Sequence, residues 1–309
     1  MADRHDTVLL HEAVEALVGN PAGIYVDGTF GRGGHSREIL RRLAPEGKLL
    51  AIDKDEDAER EALALAHEDS RLSFARGSFA ELPLILERLG IDAVDGILLD
   101  LGVSSPQLDI AERGFSFLRD GPLDMRMDRS RGVSAAEWLQ RAEVAEIEAV
   151  LRDYGEERYA RRIAAAIGKA RDAGPLVSTT QLAAVVSEAH PRWEKHHHPA
   201  TRAFQAIRIR VNHELDDLDE LLEAALSLLA IGARLVVISF HSLEDRRVKQ
   251  YLRRMSRPPQ LPRGIPLRDI DTQRPPLRLV GKAQRAGADE VAANPRSRSA
   301  VMRCAERVA

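Results

Sequence analysis

Residues 23–36 read GIYVDGTFGRGGHS, and this stretch decides the fold. Its first five residues form a short apolar run that is typical of a β-strand, and the run ends at Asp27. A glycine-rich turn follows, and residues 36–43 continue with the spacing of an amphipathic helix. A strand, a glycine-rich turn and a helix in this order predict the first unit of an open parallel sheet. Such a sheet binds ligands at the carboxyl ends of its strands.

Short apolar runs recur along the chain and alternate with helical patterns in its first third. We predict seven strands, at residues 23–27, 48–53, 72–75, 94–100, 234–240, 277–280 and 299–304. The fourth run has a continuous apolar centre, which indicates burial on both faces of a parallel sheet. From about Ser134 to Ile209 the pattern is mostly helical. The order predicts an α/β fold in which a doubly wound sheet is interrupted by a helical insertion between its fourth and fifth strands.

Composition limits the kinds of site that the chain can carry. The 309 residues include one cysteine, Cys304, so an intramolecular disulfide and a cluster of thiolate metal ligands are excluded. We also expect no metal at His196-His197-His198, because adjacent histidines on an irregular segment point in different directions. The sequence shows neither a signal region nor a run of roughly 20 apolar residues that could span a bilayer. We therefore expect a cytoplasmic protein without a membrane partner.

Charge is distributed unevenly along the chain. Residues 246–309 contain 16 Lys and Arg against 5 Asp and Glu, whereas residues 1–245 contain 29 against 43. A basic segment on an acidic body suits a polyanionic partner such as RNA, because Lys and Arg release counterions from phosphates. A solubilising surface explains the same distribution equally well.

The glycine-rich turn and an acidic residue after the second strand predict an adenosyl cofactor site. The glycines are spaced G-x-x-G-x-G-G, which differs from the dinucleotide fingerprint and weighs against an NAD-dependent oxidoreductase. Asp53 ends the second strand, 20 residues beyond Gly33, where a carboxylate can accept hydrogen bonds from both hydroxyls of a ribose. The alternative is that Asp53 caps the following helix. Phe79 follows the third strand, where an aromatic ring can pack on an adenine.

The fourth strand runs into residues 100–109, which read DLGVSSPQLD. Asp100 and the small residues after it leave room for a planar substrate beside a cofactor, although a simple turn would use the same residue types. At this point the chain closely resembles the small-subunit ribosomal RNA cytosine-N4 methyltransferases, the RsmH (MraW) family. The resemblance extends over nearly the whole chain and is carried by residues 27–36, 95–109, 112–117, 121–127, 198–202, 239–246 and 294–299.

The resemblance implies a Rossmann-like, seven-stranded class I methyltransferase sheet with an inserted helical domain. It places the methyltransferase domain at residues 1–109 and 208–309 and a helical substrate-recognition domain at residues 110–207. The implied cofactor is S-adenosylmethionine, and the implied substrate is a decoding-centre cytidine of 16S ribosomal RNA in the small ribosomal subunit. The residues expected to bind the cofactor are Gly31, Gly33, Gly34, His35, Asp53, Phe79, Asp100 and Gln107.

Two departures from the family pattern are visible. Thr29 stands where the common methyltransferase turn D-x-G-x-G-x-G has its first glycine. Ile231-Gly232-Ala233 precedes the fifth strand where the family usually has two glycines, and this difference should affect a loop conformation more than the chemistry.

The residues expected to take part in methyl transfer are Asp100, Ser104 and His241. The cytosine N4 amine is a weak nucleophile, and an acceptor such as Asp100 or a backbone carbonyl of residues 101–105 would orient it and take its proton. His241 follows the fifth strand and is equally compatible with holding the base and with stabilising its own loop. A protein of another class, a non-catalytic RNA-binding ribosome-assembly factor, stays open as the alternative function.

Overall fold

The computed structural model describes residues 7–192, 198–257 and 274–309. The chain divides into two compact units. One unit combines Met1–Gly102 with Leu215–Ala309, and the other comprises Val103–Glu214. His196, His197 and residues 258–273 of the basic segment lie outside the described residues.

The first unit is built on one sheet whose order is β3-β2-β1-β4-β5-β8-β6, with a short β7 that also pairs with β8. Strands β1 to β5 run parallel, and β8 runs antiparallel to β5, β6 and β7. The strands are β1 (Ile24–Asp27), β2 (Lys48–Asp53), β3 (Leu72–Arg76), β4 (Val94–Asp100), β5 (Leu229–Ser239), β6 (Leu277–Leu279), β7 (Gln284–Arg285) and β8 (Val301–Arg307).

Helices cover both faces of this sheet. On one face, α4 (Leu82–Leu89), α11 (Glu214–Leu228) and α12 (Ser242–Met255) contribute to one apolar core. On the other face, α1 (Leu10–Leu17), α2 (Gly34–Arg42) and α3 (Glu56–Glu68) contribute to a second core. In β4, Ile97 and Leu99 belong to the first core and Leu98 to the second, and all three are fully buried. The predicted doubly wound, Rossmann-like α/β fold is confirmed.

Three details of the strand prediction were wrong. The last strand begins at Val301 and not at Ser299, because Pro295–Ser299 forms a 3-10 helix after the short α13 (Ala288–Ala293). The described residues also include β7, a two-residue strand that lacks an apolar run. Strand β5 begins at Leu229, so Gly232 lies inside a strand and not in a loop before it. The register shifts between the pairs Val94–Leu229 and Gly96–Arg234, and Gly232 takes a φ of 86° within the irregular stretch.

The second unit is helical, as predicted, and has its own apolar core. Side chains such as Leu139, Leu151, Ile163 and Phe204 fill this core. Three of its helices begin at capping boxes, formed by Ser104 with Gln107, by Ser134 with Glu137 and by Ser178 with Gln181. The helices are α5 (Ser105–Asp109), α6 (Ala135–Arg141), α7 (Val144–Gly155), α8 (Ala160–Ala173), α9 (Thr179–Ala189) and α10 (Ala200–Asn212).

Asn212 at the end of α10 holds a conformationally unusual loop. Its side-chain amide donates to the carbonyl oxygens of Met125 at 2.7 Å and Arg208 at 2.9 Å. Its Oδ1 atom accepts from the backbone N–H of Met127 at 2.7 Å. Met125 itself is fully buried and has a φ of 62°, a left-handed conformation that side chains rarely adopt. The buried amide therefore stabilises a strained backbone that the apolar core alone does not specify.

We predict that Asn212→Ala lowers the free energy of unfolding by about 2–4 kcal/mol, because the buried carbonyl of Met125 and the partly buried N–H of Met127 lose their partners. Denaturant unfolding followed by circular dichroism measures the change. Gln250→Ala, at an exposed position of α12, serves as the control and should leave the transition midpoint unchanged. Equal midpoints for the two variants would show that the amide is dispensable.

Candidate active site

The glycine-rich turn connects β1 to α2 and brings backbone from three strands together. Gly28 donates its N–H to the carbonyl of Leu98 at 2.9 Å, and Phe30 donates to Ile52 at 3.0 Å. Gly33 is the residue before α2 and has a φ of 73°. A Cβ atom at Gly33 would also lie 2.6 Å from the Phe30 ring, so both conformation and space require glycine there.

Asp27 is a buried carboxylate at the end of β1. The Ser36 hydroxyl donates to its Oδ2 at 2.6 Å, and the Thr29 N–H donates to its Oδ1 at 3.2 Å. Burial raises the pKa of Asp27 to about 6 against the opposing effect of these hydrogen bonds, and the charge of Asp53 adds to the rise. Sequence reasoning did not select Asp27 as a site residue. Its position at a strand end, directly before the glycines, was the available signal.

Asp53 is a partly buried carboxylate at the end of β2, the next strand of the sheet. Its Oδ2 accepts from the N–H of Gly31 at 2.7 Å, and its Oδ1 accepts from the N–H of Asp55 at 2.9 Å. Burial raises the pKa of Asp53 to about 6, although these hydrogen bonds oppose the shift. Asp55, and not Asp53, caps α3 by accepting from the Asp57 N–H at 2.9 Å. The helix-capping alternative for Asp53 is therefore excluded.

Asp100 and His35 lie side by side at the end of β4. Asp100 Oδ2 is 3.6 Å from His35 Nδ1, and the Asp100 side chain is 23% exposed. Within the described part of the chain, neither Asp100 Oδ1 nor His35 Nε2 has a hydrogen-bond partner, and both atoms are buried. The Thr29 hydroxyl accepts from the Asp100 N–H at 2.6 Å. Thr29, the departure from the usual glycine, thus fixes the backbone that carries Asp100.

Burial is the largest cause of the pKa shifts of both Asp100 and His35. It raises the pKa of Asp100 well above its ordinary value, and the negative charges of Asp27 and Glu244 add to the rise. Burial lowers the pKa of His35 to about 4, although a hydrogen bond with the backbone of Val8 opposes the shift. His35 is therefore neutral near pH 7. The Asp100 carboxylate lacks a cationic partner in this pair and keeps one oxygen available for a ligand.

Phe79 begins a 3-10 helix, Phe79–Glu81, which follows β3 after the two residues Gly77 and Ser78. Its ring is partly exposed and packs against the apolar core. A Cβ atom at Gly28 would lie 3.1 Å from Phe79 Cβ, so the turn after β3 lies against the glycine-rich turn. The structure thus collects Gly31, Gly33, Gly34, His35, Asp53, Phe79 and Asp100 at the carboxyl edge of one sheet.

His241 follows the end of β5, the strand that pairs with β4, and directly precedes α12. Its Nδ1 accepts from the N–H of Glu244 at 3.5 Å, and its Nε2 lies 3.0 Å from Glu244 Oε1. Glu244 Oε2 in turn accepts from the N–H of Phe240 at 2.8 Å. His241 is thus the capping residue of α12, as the loop-stabilising alternative expected. Its contact with a substrate base stays a prediction.

Ser104 and Gln107 belong to the helical unit. They form the capping box of α5, in which Gln107 Oε1 accepts from the N–H of Ser104 at 3.0 Å. Gln107 is buried and Ser104 is partly exposed. Their predicted contacts with substrate and cofactor stay predictions.

Of the three adjacent histidines at which we expect no metal, His198 is the one within the described residues. Its Nδ1 accepts from the N–H of Ala200 at 3.2 Å, and its ring stacks on Phe117 with centroids 4.5 Å apart.

Among the helices in the described ranges, none combines the length and apolar character needed to cross a membrane.

Known proteins of similar sequence identify the family. The chain matches the MraW methylase family over residues 2–308. It is 59% identical over 304 residues to ribosomal RNA small subunit methyltransferase H of Azoarcus sp. strain BH72, covering 98% of this chain and 97% of the relative. It is 58% identical over 309 residues to the protein of the same name from Thioalkalivibrio sulfidiphilus, covering 100% and 98%. Among solved structures, it is similar to an rRNA methylase from Streptococcus thermophilus, with 11% identity, a TM-score of 0.42 and coverage of 96% and 92%. The sequence match over almost the full length shows that the chain belongs to the MraW methylase family.

Proposed function

We propose that this methyltransferase transfers a methyl group from S-adenosylmethionine to the N4 amine of a decoding-centre cytidine in 16S ribosomal RNA. The observation that carries the proposal is the Asp100 carboxylate, which keeps an unpartnered oxygen at the end of the central strand β4, within the described residues. The names of the relatives support small-subunit ribosomal RNA as the substrate. A ribosomal RNA substrate also supports the cytoplasm as the place of action.

The charges at the carboxyl edge fit a cationic cofactor. Asp27, Asp53 and Asp100 end three strands that are adjacent in the order β2-β1-β4. Burial raises all three pKa values. The charge of Asp53 adds to the rise at Asp27, and the charge of Asp27 adds to the rise at Asp100. A positively charged ligand relieves this repulsion, whereas the pyrophosphate of a dinucleotide would add to it. The site therefore favours S-adenosylmethionine, which carries a sulfonium and an ammonium group, over NAD.

The proposed cofactor contacts follow the strand ends. Asp53 accepts hydrogen bonds from the ribose hydroxyls, since a carboxylate has more acceptor positions than the amides of Gly31 and Asp55 use. The half-buried ring of Phe79 packs on the adenine. The turn at Gly31, Gly33 and Gly34 allows the cofactor to approach the backbone closely. His35 contributes through its buried Nε2 atom, and Gln107 through its side chain.

Catalysis in this proposal rests on positioning and on one proton acceptor. S-adenosylmethionine supplies a methyl group on a positively charged sulfur, which is already a strong electrophile. The protein has to hold the cytosine amine in line with the S–CH3 bond, and Asp100 Oδ1 accepts a hydrogen bond from this amine. With S-adenosylmethionine bound, Asp100 would take up the proton that the amine loses on methylation. The raised pKa of Asp100 suits a group that receives a proton.

RNA recognition is assigned to two further features. We propose that the helical unit, expected from sequence at residues 110–207, recognises the substrate. Helix α12 adds exposed Arg246, Lys249, Arg253 and Arg254, which begin the basic segment of the chain. Phosphate contacts from such side chains position an RNA, while the target base must be unstacked to reach the site. Ser104 and His241 stay predictions for contacts with this base.

The direct test incubates the protein with methyl-labelled S-adenosylmethionine and separated ribosomal subunits that lack the modification. We expect label in the small subunit alone, and nucleoside digestion should yield N4-methylcytidine. A non-catalytic assembly factor would bind the small subunit without transferring label. Label on another nucleoside would retain the methyltransferase activity and reject the cytosine-N4 assignment.

We predict that Asp53→Asn weakens S-adenosylmethionine binding by about 1.5–3 kcal/mol, because hydrogen bonds to a charged acceptor are lost. The wild-type affinity should fall as pH decreases through about 6, where Asp27 and Asp53 take up protons and lose their attraction for the cationic ligand. This pH dependence should be smaller in Asp53→Asn. Calorimetry between pH 5 and pH 8 measures both effects.

The same raised pKa values determine how the stability of the ligand-free protein changes with pH. The folded protein binds these protons more tightly than the unfolded chain, in which the ordinary pKa is 3.8. Stability contributed by Asp27 and Asp53 is therefore lost as the pH rises from about 4 to about 6. A pH-independent affinity in a folded protein would contradict the assigned role of these carboxylates.

We predict that Asp100→Asn slows single-turnover methyl transfer even at saturating S-adenosylmethionine, by more than the lost carboxylate charge weakens cofactor binding, while the dissociation constant of the RNA changes little. Asparagine keeps the shape of the side chain but cannot take the proton, so the loss falls on the transition state. Rapid-quench measurements with labelled cofactor provide the rate. Full recovery of the rate at saturating S-adenosylmethionine would reject Asp100 as the acceptor and favour a backbone carbonyl of residues 101–105.

A further inference from the structure

Asp217 on α11 joins the two turns that carry the proposed nucleoside contacts. Its Oδ2 atom accepts a hydrogen bond from the Ser78 hydroxyl at 2.6 Å and forms an ion pair with the ammonium group of Lys54. Lys54 directly follows Asp53, and Ser78 directly precedes Phe79. One carboxylate oxygen from a third element therefore links the residue after the ribose contact with the residue before the adenine contact.

Each turn is also constrained locally, which makes the link between them effective. The N–H of Gly77 donates to the carbonyl of Asp53 at 2.9 Å, so the ends of β2 and β3 are bonded to each other. Ser78 Oγ accepts from the N–H of Ala80 at 3.1 Å and so caps the 3-10 helix that begins at Phe79. A shift of Ser78 would therefore move the Phe79 ring together with its short helix.

Helix α11 is a rigid support for this contact. Leu218, Leu221 and Leu222 belong to the same apolar core as Leu82 and Leu86 of α4. The side chains of Asp217 and Lys54 are 15% and 21% exposed, so their attraction is screened less than that of a surface pair. The ion pair between Asp219 and Arg247 involves the next acidic residue of this helix, and Asp219 is 52% exposed. That pair does not involve either turn and provides a matched control.

We propose that Asp217 is a positioning residue for the nucleoside half of the cofactor. It sets the distance between the carboxylate that binds the ribose and the ring that packs on the adenine, and it acts through Lys54 and Ser78. This inference rests on the proposed function, because it assumes an adenosyl ligand at the carboxyl edge. Asp217 takes no part in proton transfer, so its effect falls on binding and not on the rate of the bound complex.

The test compares Asp217→Asn with Asp219→Asn by calorimetry, using two ligands. The ligands are S-adenosylmethionine and 5′-methylthioadenosine, which lacks the amino-acid part. We expect Asp217→Asn to weaken both ligands by the same factor, about tenfold, as for the loss of a charged contact. Single-turnover methyl transfer at saturating cofactor should match the wild type. Asp219→Asn should bind both ligands normally, and Asp217→Glu should restore most of the affinity because it keeps the charge.

Ser78→Ala removes the same hydrogen bond from the other side and keeps the test decisive if Asp217→Asn does not fold. Unchanged affinity in folded Asp217→Asn, or a loss for the full cofactor alone, would overturn the inference while leaving the proposed function intact. A wild-type protein that binds neither ligand would instead reject the adenosyl site itself. Thermal unfolding of each variant separates lost binding from lost stability.

Discussion

The parallel pairing of β1 with β2 on one side and with β4 on the other is the constraint on which the site depends. Because the three strands run in the same direction, their last residues meet at one edge of the sheet. Those last residues are Asp27, Asp53 and Asp100. Three carboxylates are thus brought together by backbone hydrogen bonds and by an apolar core on each face. Burial raises the pKa of each one, and the charge of Asp53 adds to the rise at Asp27 as that of Asp27 does at Asp100.

The three neighbouring carboxylates make this edge of the sheet favourable for a positively charged group. The free protein offsets part of the repulsion with neutral donors, such as the Ser36 hydroxyl at Asp27 and the Gly31 amide at Asp53. His35 does not act as a counter-ion for Asp100, because burial holds the pKa of His35 at about 4. A cationic ligand would therefore supply the positive charge that these neutral neighbours lack. Under the proposed function, the same electrostatics that destabilise the free protein would contribute to the affinity for a cationic ligand, so that some stability is given up for binding.

The site also depends on supports that lie outside it. Thr29 holds the backbone of Asp100 through its hydroxyl, and Asp217 links the turns that contain Lys54 and Ser78. None of these contacts is local in sequence, and Asp217 is separated from Ser78 by 139 residues. In the helical unit, Asn212 plays a comparable part for the left-handed Met125. Hydrogen bonds between residues far apart in sequence thus set the shape of loops in each unit.

The sequence by itself determined most elements of the fold and the sheet edge at which the candidate site residues lie. Apolar runs and helical periodicity depend on neighbouring residues, so β1 to β4, the helical insertion and the glycine-rich turn were predictable from local pattern. Asp53 and Asp100 could be named as candidates because strand ends and a family resemblance both pointed to them, whereas His35 was named from the resemblance alone. Only the tertiary structure decided the irregular β5 around Gly232, the two-residue β7, the capping role of His241 and the contribution of Asp217. These features arise from pairing register and from contacts across long sequence separations, and neither leaves a periodic trace in the chain.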